Sequence, residues 1–109
     1  MDLALKAIAE PRRRAILRLV RSDELSSGEI ASQFDVTGPA ISQHLGVLKD
    51  AGLVTERREG TRRLYRARPE GLHDLRTFLE GFWDDGLDRL RAVAEHDQRR
   101  NDTNQQGDD

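Results

Sequence analysis

Apolar residues recur along this chain at three- and four-residue intervals in five stretches and sit in two short strand-like runs between the fourth and fifth, so four helices, a hairpin and a last helix are predicted. Leu3, Ala7 and Ile8 share one side of a helix expected from Asp2 to about Glu10. Pro11, favoured in a first helical turn, ends that helix and opens a second, with Ala15, Ile16, Leu19 and Val20 on its stripe. Arg12, Arg13, Arg14, Arg18 and Arg21 fall largely outside the stripe. Ser26-Ser27-Gly28-Glu29 fits a capping box, in which a hydroxyl and a carboxylate satisfy each other's backbone donors. A third helix should start there, carry Ile30, Ala31 and Phe34 inward, and stop at Asp35-Val36.

Thr37 is a good N-cap for a fourth helix that places Gly38 and Pro39 in its first turn and runs to about Asp50. Ile41, Leu45 and Leu48 would be buried, and Gly38, Pro39, Ser42, Gln43, Gly46 and Lys49 would point outward. Gly52 closes the helix. Leu53 to Arg58 and Arg62 to Arg68 read as two strands around Glu59-Gly60, where glycine permits the positive φ of a tight hairpin, and Pro69 ends them. From Leu72 the pattern is helical again, through Leu75, Phe78, Leu79, Phe82, Trp83, Leu87, Leu90, Val93 and Ala94, with Gly81 and Gly86 marking a kink, a break or the close approach of another helix. Gln98 to Asp109 has no apolar side chain. The expectation is one mainly α domain over residues 1–96, in the order α-α-α-α-β-β-α, followed by a disordered polar tail over 97–109.

Composition narrows the chemistry. Apolar residues make up 36% and charged residues 35% of the 109, so buried positions are scarce and must lie on patterned faces. With no cysteine there is no disulfide framework, thiolate metal site or thiol nucleophile. No apolar stretch approaches the roughly 18 residues of a membrane span, and Met1-Asp2-Leu3 lacks the order of a signal peptide, which leads to the expectation of a cytoplasmic protein without a membrane partner. The net charge of −2 conceals an uneven distribution: Lys49 to Arg68 carries a net +4 and residues 69–96 a net −4.

Two short helices joined through Asp35-Val36-Thr37 form a helix-turn-helix, whose second helix is of a kind that enters the DNA major groove. Its exposed residues Thr37, Gly38, Pro39, Ser42, Gln43 and His44 are small or hydrogen-bonding and none is acidic, and Lys49 joins the outward candidates for DNA contact. Glutamine can pair with adenine, hydroxyls can bond bases or phosphates, and a helix N-terminus attracts phosphate. An ordinary solvated face would also be polar, but the adjoining cap, turn and hairpin favour a groove-facing role. Arg57, Arg58, Arg62 and Arg63 cluster at the hairpin, where a wing could lay guanidinium groups along phosphates; a charged edge that resists aggregation is the plainer alternative. His44 reads equally as a DNA contact or a half-buried structural residue. His73 and His96 lack partner ligands, and Asp84, Asp85 and Asp88 read as a solvated face. No catalytic constellation is present, since Ser42 and His44, two apart on a helix, point in different directions.

Across residues 3–95 the chain resembles the arsenical-resistance-type (ArsR) winged helix-turn-helix repressors. The blocks that carry the resemblance are Ala7 to Leu17, Pro39 to Leu48, Ala51 to Val54 and Arg57 to Tyr65. It implies a homodimer joined through the first and last helices, repression by blocking promoter access, and release when an effector changes the dimer's geometry. The chain departs from the family's metal sensors. Glu24 to Ile30 has none of the cysteines used before the recognition helix, and the last helix lacks the Asp-x-His and His-x-x-Glu/His arrangement of zinc sensors, so no metal or other cofactor is implied and the residues name no effector. Asp35 stands where the turn more often carries glycine; aspartate also tolerates the left-handed conformation.

The long last stripe presents more apolar surface than four short helices can cover. Phe82, Trp83, Leu87 and Leu90, with Leu3 and Ala7, are therefore expected at the interface with a second copy, the alternative being a stripe folded back on its own domain. A two-fold dimer would read an inverted-repeat, double-stranded operator. A winged-helix module that binds an acidic protein partner is the competing function; it would have no need of the small uncharged face from Thr37 to Gln43.

Overall fold

The turns at Glu10, Ser26, Thr37 and Gly52 are fixed by residues whose backbone preference or side chain satisfies an otherwise unpaired helix end. The computed structural model describes residues 1–82 and 92–95. Its order is α1 (Asp2–Ala9), α2 (Pro11–Val20), β1 (Leu25–Ser26), α3 (Ser27–Ala31), α4 (Gly38–Asp50), β2 (Val54–Glu59), β3 (Arg62–Ala67) and α5 (Pro69–Phe82). Two compact units divide the chain, Met1–Leu75 and Arg76–Asp109. The predicted tail, together with Trp83, Gly86, Leu87 and Leu90, lies outside the described residues.

In the first unit, α1 and α2 meet at Glu10, which is extended (φ −89, ψ 121) and caps α2 by accepting from the Arg12 N–H at 3.3 Å. Pro11 follows at the first helical position, where its missing N–H costs nothing. The last carbonyls of α1 have no partners within the helix, and two arginines of α2 supply them. Arg13 donates to the carbonyls of Ala7 (2.6 Å) and Lys6 (3.0 Å), and Arg14 to those of Ile8 (2.8 Å) and Ala9 (3.2 Å). Arg12 stacks over the Phe34 ring, 4.9 Å from its centroid. The basic run beside the α2 stripe is therefore largely structural.

The capping box forms as predicted: Glu29 N–H donates to the Ser26 hydroxyl (3.1 Å) and Ser26 N–H to the Glu29 carboxylate (3.0 Å). At the end of α4, Gly52 (φ +74) and Leu53 turn their N–H groups back to the carbonyls of Lys49 (2.9 Å) and Leu48 (3.0 Å), a Schellman cap. The sheet differs from the expected hairpin by one strand. Leu25–Ser26 pairs antiparallel with Tyr65 and Leu64, so the order is β1-β3-β2 with β3 in the centre. A two-residue strand shows no periodicity, so the pattern could not announce it. Between β2 and β3 the loop is Gly60-Thr61, one residue later than expected; Gly60 (φ +64) takes the first position, where a type II′ turn needs glycine.

Ile16, Val20, Ile30, Ile41, Leu45, Leu48 and Leu53 are fully buried and form the centre of the core, closed by Val54, Tyr65, Ala67 and Leu75. Ala4 and Ala7 bring α1 onto it. In the second unit, Phe78, Leu79 and Phe82 are substantially exposed, and the rings of Phe78 and Phe82 meet edge to face at 5.4 Å. Arg76 pairs with Glu80 one turn on, at 2.7 Å. The helix continues unbroken through Gly81, where an added Cβ would meet nothing within 4 Å among the described residues.

Close approach occurs instead at Gly71, which no sequence signal marked: a Cβ there would overlap the carbonyl oxygen of Gly52. Gly71→Ala is expected to lower stability by about 1–3 kcal/mol as overpacking against backbone. Gly46→Ala, on the open side of α4 with nothing within 4 Å, should raise it by about 0.5–1 kcal/mol. Urea denaturation of the two variants checks the contrast, and equal effects would refute the close approach.

Candidate nucleic-acid interface

The outer face of α4 is polar because its inner face is committed. Ile41, Leu45 and Leu48, spaced by four and three, are all fully buried, which leaves Gly38, Pro39, Ser42, Gln43, Gly46 and Lys49 exposed. Thr37 caps the helix by accepting the Ala40 N–H at 3.2 Å, and Pro39 lies in the first turn. The hydroxyl of Ser42 and the amide of Gln43 make no hydrogen bond among the described residues. They are open donors and acceptors on a helix that needs no help from them to hold its position. His44, half-buried beside them, has its Nδ1 3.4 Å from Arg13 Nη1, which ties it to the α1–α2 joint and favours the structural reading.

The hairpin register separates the four arginines into two different environments. Directly opposed residues in an antiparallel pair point to the same face. Val54, Glu56 and Arg58 therefore share a face with Ala67, Tyr65 and Arg63, while Thr55, Arg57 and Glu59 share the other with Arg66, Leu64 and Arg62. The first face packs its base on the core and meets α4 through Lys49, whose ammonium lies 3.7 Å from Glu56. Arg58 and Arg63 stand directly opposite each other there, and neither has an ion pair among the described residues. Like charges so placed repel, so the pair costs stability unless an anion lies between them.

On the second face the arginines are occupied. Arg57 donates side-on to Glu24, Nε to Oε2 at 3.2 Å and Nη2 to Oε1 at 2.5 Å, and also to Glu59 at 3.1 Å. Arg62 donates to the Glu29 carboxylate at 2.5 Å. The Arg57 hydrogen bond holds Glu24 below the usual carboxylate range, the Ser26 backbone N–H does so for Glu29, and Glu24 in turn raises the Arg57 pKa. Of the four arginines expected at the phosphates, Arg57 and Arg62 are paired within the chain, and Arg58 and Arg63 have no ion pair among the described residues.

Behind Arg58 and Arg63, the Tyr65 hydroxyl donates to Glu56 Oε2 at 2.9 Å. That bond lowers the Glu56 pKa, with Lys49 and Arg63 adding to the effect, while burial and then Glu56 itself raise that of Tyr65. Lys49 is in this way held to β2. The predicted partner-facing residues also divide. Leu3 is 61% and Phe82 50% exposed, but Ala7 is sealed in the chain's own core and presents no surface to a second copy. It stands one turn from Leu3, yet the tight α1–α2 packing turns it inward. Among the described residues no three His, Asp or Glu side chains converge as a metal site would require.

A short capped helix held by one apolar stripe, preceded by a second short helix and followed by a two-stranded arm, defines a winged helix-turn-helix protein. A family model described as a helix-turn-helix domain matches residues 8–57. The HTH-type transcriptional regulator Rv2034 of Mycobacterium tuberculosis is 49% identical over 82 residues, covering 75% of this chain and 77% of that protein. The transcriptional repressor SdpR of Bacillus subtilis is 34% identical over 86 residues, 79% of this chain and 96% of its own. The solution structure of a homodimeric winged helix-turn-helix DNA-binding domain from Mycobacterium bovis, described as a possible ArsR-family transcriptional regulator, matches with a TM-score of 0.63 at 35% identity, over 79% of this chain and 80% of that one. The chain belongs to the ArsR family of winged helix-turn-helix transcriptional regulators.

Tyr65→Phe should cost about 0.5–1.5 kcal/mol, the net worth of one hydrogen bond. It should also move the Glu56 pKa upward toward its ordinary value. A carboxylate whose pKa is depressed on folding contributes stability that is present above the unfolded pKa and lost as pH falls through the folded one, so the variant should lose part of that acid-side dependence. Carboxyl titration followed by NMR checks this, and an unmoved Glu56 would show that the tyrosine does not hold it.

Proposed function

We propose that the protein is a cytoplasmic, non-enzymatic transcriptional repressor that binds an inverted-repeat, double-stranded operator as a homodimer, with residues 1–96 forming the DNA-binding and dimerisation domain. The observation that carries this reading is the outer face of α4, where Ser42 and Gln43 stand exposed and unbonded on a helix anchored wholly from its other side. Thr37, Gly38 and Pro39 form the N-terminal turn, suited to a phosphate, and Arg58 and Arg63, without an ion pair among the described residues, supply charge from the wing. Repression is supported by the relative from Bacillus subtilis, and dimerisation by the homodimeric domain from Mycobacterium bovis. Leu3, Phe78, Leu79 and Phe82 are apolar side chains left exposed in one copy, and Trp83, Leu87 and Leu90 continue the same sequence pattern.

Ser42→Ala with Gln43→Ala is expected to reduce discrimination between the DNA upstream of the protein's own gene and a random duplex by about 1–3 kcal/mol for each side chain withdrawn from a base edge, with non-specific binding barely changed. A competition gel shift measures it, and intact preference in the double variant would sink the α4 assignment.

The dimer should place its two α4 helices about 34 Å apart, one turn of DNA. Sedimentation of the parent at micromolar concentration should give a dimer, and Phe82→Asp folded monomers with weak operator binding. A monomeric parent with full affinity for DNA would overturn the assembly.

A further inference from the structure

Of the wing's five arginines, Arg57 and Arg62 are ion-paired and Arg58, Arg63 and Arg66 have no ion pair among the described residues, while the register sets Arg58 and Arg63 apart on a face of their own. On the face of Arg58 and Arg63, the cations Lys49, Arg58 and Arg63 stand against Glu56 alone. The opposite face sets Arg57, Arg62 and Arg66 against Glu59 of the same strand pair and Glu24 and Glu29, which reach across from the segment around β1. Glu24 takes Arg57 through two parallel N–H···O bonds, the geometry that satisfies a guanidinium as a phosphate would. Arg66 lies near enough to Glu24 to contribute to its lowered pKa.

We infer that Glu24 and Glu29 are affinity-setting residues, an internal phosphate mimic that neutralises Arg57 and Arg62 and withdraws them from the wing's grip on DNA. The inference rests on the DNA-binding reading above. A guanidinium that arrives with its own carboxylate brings no net charge to the phosphates and releases no counterions, so it adds neither affinity nor salt dependence. The carboxylates thereby trade sequence-independent binding for the discrimination made by α4, since wing contacts to phosphate carry no base information. Glu29 serves two purposes at once: one of its oxygens, Oε1, accepts both the Ser26 backbone N–H (3.0 Å) and the Arg62 guanidinium (2.5 Å), which ties the charge of the wing to the cap of α3.

The test compares binding to a random-sequence duplex across a salt series. In Glu24→Gln with Glu29→Gln, the slope of log affinity against log salt should steepen by about one to two per protomer, one for Arg62 and up to one for Arg57, which keeps its bond to Glu59. Glutamine at 29 keeps the capping box, and a circular-dichroism melt verifies the fold; Glu24→Gln alone, with an expected steepening of up to about one, serves if the double variant does not fold. Adding Arg57→Gln and Arg62→Gln restores the parent's net charge and should return the slope to the parent's value. Arg58→Gln with Arg63→Gln in the otherwise unchanged protein should make the slope shallower by about two per protomer. An unchanged slope in the glutamate variant, weaker binding by it, or a steep slope that persists after the arginines are removed would each overturn the inference. Failure of the parent to bind any duplex would instead overturn the DNA-binding reading on which it rests.

Discussion

The interface depends on the burial of three side chains, Ile41, Leu45 and Leu48, on one side of α4. Each is fully buried, and a buried side chain of this kind stabilises by about 1.5–3 kcal/mol, so this narrow stripe fixes the helix without help from its outer face. That division of labour frees Ser42 and Gln43 to remain unbonded. It also explains why both ends of α4 are closed by local devices, the Thr37 cap and the Gly52 Schellman turn, rather than by long side chains that would crowd the surface. A helix held in this way loses little further freedom on binding, and preorganisation of that kind converts contacts into affinity with small entropic cost.

The joint between α1 and α2 meets a different constraint. A helix that stops at Ala9 and a second that starts at Pro11 leave the carbonyls of the first exposed to one another and to the core. Arg13 and Arg14 answer all four, from Lys6 to Ala9, with cations at the negative end of the helix. A run of arginines in a DNA-binding protein invites a phosphate-binding reading. Here two of them are spent on backbone and a third on the Phe34 ring, so the basic character of α2 is a property of its fold.

Local signals were legible in the sequence because they are made between neighbours. The Ser26–Glu29 capping box, the Thr37 cap, Gly52 and the turn at Gly60 each depend on residues within a few positions, and each formed as read, the hairpin loop shifting by one. What escaped was set by distant partners. β1 exists only because β3 offers it an edge, and Gly71 matters only because the Gly52 carbonyl lies against it. Ala7 and Leu3 sit four residues apart, yet one is fully buried and the other exposed, because the packing of α1 on α2 chooses which side of the helix turns inward. The sorting of the wing arginines is the clearest case. In a strand the faces alternate with every residue, so Arg57 and Arg58 differ by one position and by everything that surrounds them, and the carboxylates that occupy Arg57 and Arg62 come from 33 residues away.

A chain with a net charge of −2 can approach a polyanion only if its charges are segregated, and the wing shows how the segregation is maintained. Glu24, Glu29 and Glu56 all have lowered pKa values, for reasons that differ: the Arg57 hydrogen bond, the Ser26 backbone N–H and the Tyr65 hydroxyl. Their stabilising contribution is present above the unfolded carboxylate value and is lost only as pH falls through the lowered folded values. Arg57, with its pKa raised by Glu24, stays charged throughout. The pattern of paired and unpaired arginines is therefore constant from about pH 5 upward through the physiological range. Proton concentration near neutrality does not set this wing's affinity through those carboxylates; the arrangement of its strands does.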